Sequence, residues 1–109
     1  MNLDITEMVE TMWAAAKQPL GNAATAAEPF AKSQFTNIAQ TVAQIAAGIP
    51  TGEIDQQQAT LLLSIEKHAT ENALLTVEGL GTVAAESAIN AALGAVTTLV
   101  NTAVGFALI

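Results

Sequence analysis

The chain has no cysteine, no arginine and no tyrosine. Without cysteine there is no disulfide framework and no thiolate metal site. With a single histidine, His68, a His/Cys metal cluster is excluded as well. The only cations are Lys17, Lys32 and Lys67, set against ten carboxylates, for a formal charge of -7 over 109 residues. Nucleic-acid binding draws on counterion release by clustered cations, so this balance argues against a nucleic-acid partner. It argues equally against adsorption to anionic lipid headgroups by charge. Aromatic side chains are confined to Trp13, Phe30, Phe35 and Phe106. The opening MNLDITEMVE is acidic where a secretory signal needs a basic region, so export by that route is not expected.

What is present is Ala, Thr, Gln and Leu in quantity. Small side chains let helices approach closely but bury little area each. The length suits one domain, 1–109, and the composition suits an all-α protein with long, thin contacts. Four helices are predicted, over about 5–17, 29–47, 55–78 and 82–108, with a turn at 48–54. Asp4 and Glu7 have capping-box spacing at the first start, and Pro19 is its expected stop. Ile5, Met8, Val9, Met12, Trp13 and Ala16 fall on one face, best read as a packed helix face rather than a ligand site. Pro29 suits the first turn of the second helix. There Phe35, Ile38, Val42, Ile45 and Ile49 form a seam at three- and four-residue steps, and Gly48 and Pro50 are the expected stop. Thr51 or Asp55 caps the third helix, which makes a helical hairpin with the second.

The stretch 55–78 is the centre of this reading. Leu61, Leu62 and Leu63 alone cover about 200° of a helix at 100° per residue. Leu74, Leu75 and Val77 leave only a narrow polar strip, and a helix apolar on most sides is buried on most sides. In so short a chain, neighbouring subunits are the expected cover. The candidate assembly interface is Phe35, Ile38, Val42, Ile45, Leu61, Leu62, Leu63, Leu74 and Leu75. The resulting fold expectation is extended helical hairpins packed side by side in a homo- or hetero-polymer.

The segment 87–109 carries no charged side chain and is long enough to span a bilayer. Asn90 and Asn101, several hydroxyl residues and the lack of flanking cations or interfacial Trp and Tyr favour burial between subunits instead. Chemistry is sparse. Ser33, Ser64 and Ser87 have no evident base, and Gly79 and Gly81 do not frame a phosphate loop. No catalytic, cofactor-binding or metal residue is assigned, and an enzyme is not expected. His68 reads first as an exposed helix residue and second as a pH-responsive group. If identical subunits stack, facing carboxylates repel. Like-charge proximity raises a carboxylate pKa above about 4.3, so acidification relieves the repulsion and shifts the packing. Glu66, His68, Glu71 and Glu78 are the candidate pH-sensing positions.

Five features, in order, carry a family resemblance. They are Asn2, Ile5, Thr6, Glu7 and Val9; the Ala-rich 23–35 leading to Phe35; Ala39 with Gln40; the run Gln56, Gln57 and Gln58; and Leu74, Leu75, Val77 and Glu78. Over about 2–78 the chain resembles the R-body (refractile body) structural proteins, the RebB-type killing-trait family. The turn at 48–54, the charged Glu66-Lys67-His68 and the uncharged tail depart from that pattern. The resemblance implies a cytoplasmic ribbon of small helical subunits, assembled from copies of itself or with sibling subunits and coiled into a cylinder. In some members the ribbon extends on acidification and ruptures membranes mechanically, with no cofactor. The alternative reading is a membrane-inserting helical protein, such as a phage ejection or pore-forming component, using 87–109.

Overall fold

Asp4 caps the first helix: its carboxylate accepts the Glu7 backbone N–H at 3.0 Å. The computed structural model describes residues 4–109, so Asn2 of the opening motif lies outside the described residues. Helix α1, Ile5–Leu20, buries Met8, Val9, Met12, Trp13, Ala16 and Leu20 on one face. Pro19 lies inside it rather than ending it. A proline's fixed φ is helical, and near a helix end the loss of one N–H is tolerable. The stop is Gly21, whose φ of 56° is open to glycine at little cost.

A 3-10 turn, Gly21–Ala23, leads straight into α2, Ala24–Thr51. Helical residues thus run from Ile5 to Thr51 with only that turn between them. A straight rod of that length would reach about 70 Å at 1.5 Å per residue. The molecule measures 44 × 22 × 19 Å, so the chain must fold back at the turn. α2 starts earlier than Pro29 and runs past Gly48, to Gly52 with φ 78°. Gly48 is therefore not the terminating residue that its place before Ile49 and Pro50 suggests. It is buried within the helix, and it makes room for Ile54: a Cβ added there would lie 2.6 Å from Ile54 Cδ1. The Ile54 N–H returns to the Gly48 carbonyl at 3.1 Å and closes the turn.

Helix α3, Gln56–Leu75, opens on a full capping box. The Gln58 N–H donates to Asp55 Oδ1 at 2.8 Å, and the Asp55 N–H donates to Gln58 Oε1 at 2.9 Å. α3 ends at Leu75, short of the expected 78, and Gly79 has φ 84° in the turn that follows. Leaving the helix here lets both Val77 and Leu80 turn into the core. Helix α4, Thr82–Val104, stops at Gly105 with φ 86°, not near 108. Asn101 then holds the returning tail, accepting the Leu108 and Ile109 N–H groups at 2.9 and 3.1 Å and donating to the Ile109 carbonyl at 3.0 Å.

The fold is all-α, with no strand among the described residues. Short connections make each helix antiparallel to the next, an up-down-up-down arrangement. α1 packs most closely on α4, then α2 on α3 and α1 on α2; α3 meets α4 along a thinner seam, and α2 touches α4 least. Ala16, Ala27, Ala31, Ala39, Ala59, Ala85, Ala88 and Ala92 have no exposed surface, so the helices meet at small residues. Phe35, Met8, Met12, Ile38, Ile45 and Leu74 are the largest fully buried side chains of one continuous core.

Candidate assembly surface

The residues that the sequence marks as an interface divide into two groups. Phe35, Ile38, Val42, Ile45, Leu63 and Leu74 are buried inside a single chain, so in this fold they offer nothing to a second molecule. The reason is that the α2 seam finds cover within its own chain, on the neighbouring helices of the bundle. Leu62 is half-buried against the same core. Leu61 and Leu75 remain at the surface, with 61% and 38% of their area exposed.

On α3 one further large apolar residue is exposed, Ile65, at 53%. It joins Leu61, His68, Asn72 and Leu75, all exposed, at steps of four, three, four and three. At 100° per residue these five lie within an arc of about 80° on α3. The signal was present in the sequence as a second three-four seam. It was hidden because the Leu61-Leu62-Leu63 run attracts attention as a block, although its three members point in different directions.

The candidate pH-sensing groups do not form one cluster. His68 sits in the outer stripe, and Glu78 lies beyond the end of α3. Lys67, His68 and Glu71 line a shallow hollow toward α4, together with Glu86 and Asn90. Beside it runs a groove of about 470 Å³ between α3 and α4, lined by Leu63, Ser64, Lys67, Leu93, Gly94 and Ile109 among others. Lys67 is the only charged side chain on that lining, and no nucleophile–base pair converges there. Among the described residues no group of three or more His, Asp or Glu side chains could hold a metal ion.

Electrostatics are concentrated at the α1–α2 seam instead. Lys32 Nζ lies 3.1 Å from Glu28 Oε2 and 3.4 Å from Glu10 Oε1. The hydrogen bond to Glu28, with that to Glu10 and the charge of both, holds the Lys32 ammonium above its ordinary pKa of 10.5; partial desolvation opposes them. These are the only ion pairs among the described residues, so among them Lys67 stands beside the stripe without a carboxylate partner.

α4 holds an 18-residue stretch of mean hydropathy 1.4 and is long and apolar enough to cross a membrane, but 39% of that stretch is buried inside the bundle. Ala85, Ala88, Ile89, Ala92, Leu93, Val96, Val100 and Val104 face the other helices. No family model, curated protein or solved structure matches this chain.

Proposed function

We propose that this chain is a structural subunit that self-assembles into an R-body-like coiled ribbon, an inclusion-like assembly in the cytoplasm. The observation that carries the reading is the row of apolar residues left outside on α3: Leu61, Ile65 and Leu75 are exposed on one face although the chain has a complete core of its own. Apolar residues left exposed along one helix face support an interaction site where they join into a contiguous patch. The ordered resemblance over about 2–78 supplies the ribbon as the form of assembly. The extended side-by-side packing of helical pairs becomes, on this reading, the side-by-side packing of whole bundles.

Each subunit brings a charge of -7, so neighbouring carboxylates repel near neutral pH. Protonation weakens that repulsion, and acid-driven extension is the expected response, with mechanical rupture of an enclosing membrane as its effect. The second reading, a membrane-inserting helix, draws on the length and hydropathy of α4.

Negative-stain microscopy and sedimentation of the expressed protein at about pH 7 and about pH 5 test the proposal against the carboxylate titration range. Ribbons or coiled cylinders that sediment without detergent, and change form at the lower pH, are expected. Discrete monomers at both pH values would overturn it. Extraction only by detergent would favour the membrane reading.

A further inference from the structure

The exposed stripe on α3 has a centre. Leu61 and Leu75 lie equally far along the helix from His68, and Ile65 and Asn72 lie nearly so on either side. We infer that α3 pairs with α3 of a second copy, antiparallel, about a two-fold axis passing beside His68. This rests on the self-assembly reading above and names one of its subunit contacts.

Laid antiparallel at 1.5 Å per residue, the two stripes stack in about five layers over roughly 21 Å. Leu61 meets the partner's Leu75 at each end, Ile65 meets the partner's Asn72, and the two His68 side chains face each other at the middle. Polar residues inside an otherwise apolar seam fix register, because sliding by one layer would set Asn72 or His68 against leucine.

Charge favours a second copy, and it favours this direction. Lys67 and Glu71 lie on the same flank of the stripe, toward α4. A perpendicular two-fold brings like flanks together. It sets each Lys67 about 3 Å along the axis from the partner's Glu71, at 1.5 Å of rise per residue. The pairing therefore sets two Lys67–Glu71 approaches against one Lys67–Lys67 approach at the same offset of about 3 Å along the axis, in a chain whose net charge of -7 otherwise repels its copies. A parallel pairing would set that flank against Gln58, Leu62, Ala69 and Thr76, with Glu66, half-buried and further round the helix, the one charged side chain on that side. It would also align the two helix dipoles, which antiparallel packing opposes.

The contact is small. Five side chains bury far less than the roughly 800 Å² per partner of a stable free dimer. It belongs to an assembly in which the same copies also touch elsewhere, and trapping is a better readout than hydrodynamics. Helix axes about 8–10 Å apart leave facing Cα atoms roughly 4–6 Å from each other, within disulfide reach.

The absence of cysteine makes the test clean. Leu61→Cys and Leu75→Cys variants are purified separately, then mixed under assembly conditions with mild oxidation. The expected result is a disulfide-linked dimer containing one chain of each variant, with Leu61→Cys alone and Leu75→Cys alone forming little. His68→Cys alone should link to itself efficiently. Strong self-linking of Leu61→Cys would overturn the antiparallel pairing in favour of a parallel one. Assemblies that sediment and yet show no link at any of these positions would overturn the α3 contact and leave the self-assembly reading standing. Monomers throughout, by sedimentation, would overturn both.

Discussion

Lys32 and Glu10 stand equally far along the chain from Gly21, and their charged ends lie 3.4 Å apart. Only an antiparallel fold about Gly21 brings such a pair together, so this contact sets the register of α1 on α2. Glu28, one helical turn before Lys32, holds the same ammonium at 3.1 Å. The Lys32 pKa is raised in the folded chain, so its contribution is fully present below 10.5 and is lost as pH climbs through the higher folded value. Both partners are substantially exposed, so the effect is small and is screened by salt. Lys32→Met should lower the denaturation midpoint slightly at neutral pH, and the gap from the parent should close well above pH 10.5. A gap that stays constant through that range would assign the loss to packing instead.

Gly48→Ala sets two effects against each other. Alanine is better than glycine in a helix by about 1 kcal/mol. The new Cβ would lie 2.6 Å from Cδ1, 2.7 Å from Cγ1 and 3.1 Å from Cβ of Ile54. Overpacking of this kind costs about 1–3 kcal/mol, so net destabilisation is expected. Truncating the neighbour in the double variant Gly48→Ala, Ile54→Ala should recover part of the clash term. Urea denaturation of both variants measures it, and a stabilised single variant would show that Ile54 moves aside freely.

Asp55→Ala removes half of the capping box at the start of α3, since the carboxylate no longer accepts the Gln58 N–H. A loss of about 0.5–2 kcal/mol is expected, and Asp55→Asn should recover most of it. Thermal unfolding of the three proteins gives the comparison.

Surface and core positions on the α2–α3 pair should respond oppositely. Phe35→Ala and Leu63→Ala remove buried side chains and should cost about 3–5 and 2–5 kcal/mol respectively, against a typical total of about 5–15 kcal/mol. Ile65→Glu and Leu61→Glu change exposed residues, so they should leave the monomer folded by circular dichroism while blocking sedimentable assembly. If both glutamate variants assemble as the parent does, the outer stripe of α3 is not an interface.

Asn101→Ala removes three hydrogen bonds that hold the segment after Gly105 against α4. Each is worth about 0.5–1.5 kcal/mol net, and an unpaired half-buried N–H adds to the loss. Faster carboxypeptidase trimming of the tail and faster amide exchange at Leu108 and Ile109 are expected. Unchanged trimming would mean that Phe106, Leu108 and Ile109 hold the tail by apolar contact alone.

Helix type and the main turns were legible in the sequence because they depend on neighbours in the chain. Asp4 with Glu7, the three-four spacing of Met8 and Met12, and that of Phe35 and Ile38 are local signals. Boundaries were less legible where proline and glycine have two uses. Pro19 and Pro50 read as stops, yet each sits inside a helix near its end, and the glycine that terminates the chain's helical path comes later in both cases. Gly48 read as a terminator, but it is required for space, which only the return of Ile54 creates.

By itself the sequence determined an all-α chain, its acidic balance, the cap that starts α1, and a surplus of apolar positions on α3; it left Thr51 and Asp55 both open as the cap of α3. Only the tertiary structure decided which of those positions are already covered. Periodicity reports that a face is apolar, but it does not say whether the face meets its own chain or another. Once the chain folds back at Gly21–Ala23, the bundle encloses Phe35, Ile38, Leu63 and Leu74, and Leu61, Ile65 and Leu75 are left on the outside.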